Sequence, residues 1–199
     1  MIRSILFLSA LALAAPAAAQ IHSGAATPEA RAAVTDFARC IARSRPDKAR
    51  AVLTMNFTSK EYGAAMLALA DDNRDCFRTR GRMKAGSLPF AAALAEALLA
   101  RDPAPLNVRL LKAAATDAPT FSPTDRVAMC VARSDPDGTA AILRSRMASA
   151  KERKAAAGLA EVVHRCSPSD LTVELTPYAL RSIVATASFR LLAAAGGQS

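Results

Sequence analysis

Four cysteines set the frame within which this chain must fold. Cys40 and Cys76 stand 36 residues apart, and Cys130 and Cys166 stand 36 apart again, 90 positions further on. The residues around them are displaced with them: "CIARSRPDKARAVL" (40–53) returns as "CVARSDPDGTAAIL" (130–143). Between Ala38–Cys76 and Ala128–Cys166, 14 of 39 positions are identical in one ungapped register. Five of these are Ala pairs, which an Ala-rich chain supplies by chance; the other nine include both cysteine pairs. The chain reads as an internal duplication, and two copies are too few for a solenoid. With a small gap the match continues from "SLPFAAALAEALLARD" at Ser87 to "LTPYALRSIVATASFR" at Leu175.

Each copy holds the same parts in the same order, and the parts carry helical spacing. The first helix is expected over about Pro28 to Arg43, entered through Thr27-Pro28-Glu29, with Val34, Phe37, Cys40 and Ile41 on one face. Its counterpart starts at Ser122-Pro123-Thr124-Asp125. A second helix is expected from Pro46 to about Asn56, and a third near Ser59, signalled by Thr58-x-x-Glu61 and by Ser149-x-x-Glu152. The fourth is expected to begin at Pro89 and at Pro177. "LTVEL" (171–175) alternates and suits a short strand or an extended connector. The predicted fold is all-α: two pseudo-symmetric four-helix units packed together, each with one disulfide. Residues 27–102 form the first unit and 122–195 the second. Residues 103–121 are a linker with room for a short helix in "LNVRLLKAAA", and 196–199 are a C-terminal tail.

The N-terminus sets the compartment. Arg3, the apolar stretch Ile5–Ala15, Pro16 and the small residues Ala17–Ala19 have the anatomy of a secretory signal peptide over 1–19, followed by a mobile tail over 20–26. The leader is too short to span roughly 30 Å of hydrocarbon comfortably. Beyond it, Pro or charged residues break each apolar stretch, so no membrane span is expected after cleavage. The expected location is periplasmic or secreted. An even number of cysteines there reads as disulfides. Three connectivities are possible. Cys40–Cys76 with Cys130–Cys166 is favoured because duplication copies a bridge with its geometry, whereas Cys40–Cys130 would overturn the two-unit picture. Zinc lacks its usual closely spaced ligands, and redox chemistry lacks a Cys-x-x-Cys pair.

The formal net charge is +9, with 26 basic residues against 17 acidic. That balance favours anionic partners. Phe77 alone lies among Arg74, Arg78, Arg80, Arg82 and Lys84, so the stacking platforms of a nucleic-acid site are missing and specific nucleic-acid binding is not expected. Arg43 and Arg133 lie one turn after the first cysteine of each copy. They are candidates for internal ion pairs with Asp71 and Glu161, for bonds to helix-end carbonyls, or for an anion site. Ser44 and Asp47, like Ser134 and Asp137, resemble a nucleophile beside an acid. They are better explained as helix caps, since no His is placed to activate the serine. His22 and His164 fall in no catalytic pattern, there is no Gly-rich phosphate loop, and no cofactor is implied.

Duplicated Cys-x-x-Arg-x-x-Pro, a second Cys after helix three and a Pro-led last helix together resemble a group of uncharacterised secreted proteins of proteobacteria. The resemblance implies a duplicated, disulfide-bonded helical fold and an extracytoplasmic location, and no activity. The reading that follows is a non-catalytic extracytoplasmic module that binds a macromolecular partner or supports the envelope, its partner an envelope protein or an anionic surface. Two alternatives stand beside it. One is a small enzyme with a site in the groove between the repeats; the other is an anionic-lipid binder.

Overall fold

The computed structural model describes residues 27–78, 86–168 and 175–196. Among these, ten α-helices and one short 3-10 turn account for the secondary structure, and two disulfides join them. The helices are α1 (Pro28–Ser44), α2 (Pro46–Thr54), α3 (Lys60–Asp71), α4 (Ser87–Leu99) and α5 (Leu106–Ala113), then α6 (Pro123–Ser134), α7 (Pro136–Arg144), α8 (Ala150–Gly158), α9 (Ala160–Cys166) and α10 (Pro177–Gly196). The 3-10 turn is Arg74–Cys76. The eight main helices expected from sequence become ten for two reasons. "LNVRLLKA" does form a helix, and the single helix expected after Ser149 breaks at Gly158-Leu159 into α8 and α9. The proposed strand at 171–175 lies, but for Leu175, outside the described residues.

Local chemistry starts most of these helices where the sequence says. Thr27, Ser59, Ser122 and Ser149 are N-caps whose hydroxyls accept the backbone N–H of the third residue on. Pro stands in the first turn of α1, α2, α6 and α7, where its missing N–H has no helical partner to lose. The cap of α3 is Ser59 rather than Thr58, and α4 begins two residues before Pro89.

The serine caps expected after the first cysteines are corrected. Ser44 and Ser134 are the last residues of α1 and α6, and the Ser44 hydroxyl donates back to the Cys40 carbonyl at 3.1 Å. The N-caps of α2 and α7 are Arg45 and Asp135. Only Asp135 caps with its side chain, accepting from Gly138 N at 2.7 Å; Arg45 has no acceptor to offer. Asp47 and Asp137 lie in the first turn, where a carboxylate suits the positive end of the helix dipole. A Cβ at Gly138 would meet Asp135 Oδ2 at 2.5 Å and Leu159 Cδ2 at 2.7 Å, so a larger residue there would have to displace the capping carboxylate and the Leu159 side chain.

Two apolar cores share one helix. The first is built from α1 to α4 and takes Ala185 and Phe189 from α10. The second is built from α5 to α10. Helix α10 lies against α4 on one side and α6 on the other, and all twelve residues Leu180–Leu191 are buried. By length and composition α10 is apolar enough to cross a membrane, a run that the sequence reading did not single out. In this fold it is the central helix, enclosed by its neighbours. Ala91, Ala92, Ala93 and Ala95 of α4 are buried along with Phe90, Leu94, Leu98 and Leu99, and α4 packs against both α1 and α10. Phe37 stacks on Phe90 at 5.4 Å between centroids and meets Phe77 edge-on at 6.3 Å. Cys40–Cys76 ties α1 to the 3-10 turn, and Cys130–Cys166 ties α6 to the end of α9.

Candidate binding groove

The polar centre of the molecule is Arg181, on α10, with 4% of its surface exposed. A guanidinium has five N–H donors and cannot give up its charge, so burial at this depth demands acceptors on all sides. The fold supplies them from three other elements. Glu96 on α4 receives a bidentate pair, from Nε to Oε1 at 2.7 Å and from Nη2 to Oε2 at 2.5 Å. The end of α7 offers the carbonyls of Ile142 and Leu143, each at 3.0 Å, and the carbonyl of Ser145 at 2.8 Å. Glu152 on α8, 2% exposed, accepts from Nη1 at 3.4 Å. Burial is the largest influence on this guanidinium and works against its charge, but Glu96 and Glu152 together outweigh it and leave its pKa raised.

Glu152 also holds the corner between α7 and α8. Its Oε2 accepts the Ala148 N–H at 2.8 Å. Ala148 has φ 58°, the left-handed region that a residue with a Cβ enters at a cost of roughly 1–2 kcal/mol. Arg181 therefore fixes both ends of this corner, through the Ser145 carbonyl directly and through Glu152 to Ala148. The corner carries Arg144, Arg146 and Met147.

Those three residues form one lip of a cavity of about 700 Å³ whose other walls are α1, α4 and the start of α5. The volume is in the range of ligand sites. Its wall on α1 is traced by Pro28, Ala32, Thr35, Asp36 and Arg39, about three turns of one helix face. Ala93, Ala97, Leu106 and Leu143 make much of the floor. Three carboxylates line the groove, and each is matched. Asp36 pairs with Arg39 at 2.8 Å, Asp102 with Arg109 at 3.3 Å, and Glu96 with Arg181. Arg144 and Arg146 are exposed, and neither side chain has an ion pair or hydrogen bond with any described residue.

A second, smaller cavity of about 150 Å³ lies at the other end of α10. Arg190, also 4% exposed, pairs there with the buried Asp125, whose second oxygen accepts the Phe121 N–H at 2.9 Å. The guanidinium lies 5.5 Å from the Phe57 ring centre and 5.7 Å from that of Phe121, within cation–π range. Its Nε has no hydrogen-bond partner among the described residues. Burial lowers the Arg190 pKa despite Asp125. Burial likewise pushes the neighbouring Tyr62 up to about 12, with the Arg190 charge pulling the other way.

The residues singled out from sequence lie elsewhere. Asp71 pairs with Arg74 at 3.0 Å and Glu161 with Arg165 at 3.3 Å, so neither carboxylate reaches the arginine proposed for it. Arg43 is exposed and has no partner among the described residues. Arg133 donates to the Thr116 carbonyl at 2.6 Å, tying α6 to the segment after α5. The two equivalent arginines thus diverge: among the described residues, Arg133 meets a carbonyl of the segment after α5 and Arg43 meets none. Asp137 accepts from Asn107 at 2.7 Å. His164 is exposed on α9 and lines neither cavity. Among the described residues no three His, Cys, Asp or Glu side chains gather so as to hold a metal ion.

Sequence reasoning passed over Arg181, Arg190 and Glu96, and explained Asp125 and Glu152 by local capping alone. A signal for the first two was present. Two arginines flanking the apolar stretch Ser182–Phe189 cannot both reach water from a central helix, and a buried charge needs a partner. Set against known protein families, curated proteins and solved structures, the chain matches none of them.

Proposed function

We propose that this chain is a non-catalytic helical module that works outside the cytoplasm and binds a negatively charged macromolecular partner in the groove beside α1. One observation carries this reading: two guanidiniums, Arg144 and Arg146, with no partner among the described residues, stand on a hydrogen-bonded corner at the edge of an apolar-floored groove. The net charge of +9 draws anionic partners toward that surface. The carboxylates in the groove are each occupied by an arginine, and His164 is distant from it, which favours binding over acid–base chemistry. The two disulfides suit an oxidising, extracytoplasmic setting. The signal-peptide pattern over 1–19 refines that to a periplasmic or secreted protein.

The same reading takes the chain as a duplicated unit. Its support is the equal disulfide separation of 36, the nine-residue length of both α2 and α7, each opening on Pro-Asp, and the matching caps Ser59 and Ser149. Both cores take residues of α10, which supports reading the two units as packed together.

The test is a pull-down from envelope extract with the oxidised, leader-free chain, eluted by a salt gradient. Recovery of a discrete partner that releases as salt rises is the expected result. No salt-sensitive partner at any loading would overturn the reading. Binding confined to anionic vesicles would replace it with lipid attachment.

A further inference from the structure

The groove has the length and the chemistry of a site for a polypeptide segment. From Pro28 to Arg39 its α1 wall advances eleven residues, about 17 Å at 1.5 Å per residue. A compact headgroup or free phosphate fills only a fraction of such a length. A segment of about 11 helical residues, or about five extended ones at 3.3 Å each, spans it. The floor is apolar, with Ala97, Leu106 and Leu143, and Met147 at the lip, offering contact to a side chain such as Leu. Five arginines and three carboxylates line the groove, and the three carboxylates are each paired in place. With Glu152, which shares Arg181, the balance is five arginines to four carboxylates, and Arg144 and Arg146 are the two with no ion-pair partner among the described residues.

The corner that bears those charges is rigid for a reason unrelated to the core. Arg181 and Glu152 hold the Ser145 carbonyl and the Ala148 N–H, and they keep Ala148 in the left-handed region. A non-glycine residue held there at a cost, beside a ligand-sized groove, fits a corner whose position matters to binding. We propose that the groove docks an acidic, partly apolar peptide segment of a partner protein, with Arg144 and Arg146 taking its carboxylates and the floor taking its apolar side chains. This deepens, and rests on, the partner-binding reading above.

The experiment uses the oxidised, leader-free chain and a fluorescein-labelled peptide of about 12 residues, with Leu at every fourth position and Glu between. Anisotropy is read alongside the same peptide with Lys for Glu and vesicles of anionic phospholipid. The Glu peptide is expected to bind, and Arg144→Ala/Arg146→Ala to weaken it by roughly tenfold or more. Arg50→Ala/Arg153→Ala removes the same charge from exposed sites outside the groove and should weaken binding by less than about threefold. Arg144→Glu/Arg146→Glu should lose the Glu peptide and gain the Lys peptide, a reversal that unfolding cannot produce. Equal loss in the groove and control variants, or failure of the reversal, would overturn the proposal. So would vesicle binding without peptide binding. If an envelope partner is still retained by salt-sensitive binding while these peptide results fail, partner binding survives and the acidic-segment groove does not.

Discussion

Two arginines on one helix, nine residues apart and equally buried, are held in opposite ways. Arg181 meets two carboxylates and three carbonyls from α4, α7 and α8, and its whole donor fork points at acceptors. Arg190 meets one carboxylate, leaves Nε without a partner among the described residues, and rests against the rings of Phe57 and Phe121. The direction of each pKa follows: Arg181 raised, Arg190 lowered. A buried charge is tolerated when its surroundings are polar enough to replace water, and the first site does this far more fully than the second. The difference also divides their roles. Arg181 shapes the edge of the large groove, whereas Arg190 closes a small cavity between two helix ends.

The comparison breaks most sharply at Arg181. Arg181→Met strands Glu96 and Glu152 at once, and urea unfolding should show a loss of about 5 kcal/mol, with the α7–α8 corner opening to hydrogen exchange. Arg190→Met strands one carboxylate that keeps a backbone donor, so its loss should be smaller, about 3 kcal/mol. Adding Asp125→Asn to that variant should restore part of it; equal losses at the two sites would mean that saturation is not what separates them. A smaller contrast divides the duplicated arginines. Arg133→Ala removes the bond to Thr116 and should cost about 1.5 kcal/mol, while Arg43→Ala should stay within about 0.5 kcal/mol. The subtlest effect is on pH. Because the Tyr62 pKa is raised from 10.0 to about 12 on folding, its share of stability is whole below pH 10 and is lost as pH rises toward 12. The wild-type urea midpoint should therefore fall faster than that of Tyr62→Phe in this window, with the two slopes equal below it.

The helices were legible because their signals are local. A serine three residues before an N–H, a proline in a first turn and a cysteine at a fixed interval each act within one or two turns of chain. Where two local explanations competed, nothing in the local pattern chose between them. At Ser44 the hydroxyl turned back to the Cys40 carbonyl instead of capping α2, and Arg45 took the cap position. At Glu152 the capping pattern was real, since its N–H does bond Ser149, but the carboxylate serves Arg181 and Ala148. The groove was less legible still. Its lining comes from α1, α4, α5, α7 and α10, over residues as far apart as Pro28 and Arg181.

From sequence alone came the all-helical class, several of the helix starts and the preference, among three connectivities, for pairing cysteines within each copy. Each is set by backbone and side-chain chemistry over short distances, or by a repeat that carries its own geometry. Tertiary structure alone decided which charges are buried and which are free. That choice depends on packing α10 between two cores, which puts Arg181 among acceptors from three helices and leaves Arg144 and Arg146 facing an open groove. Charge compensation is a property of enclosed space, and enclosed space exists only after the chain has packed.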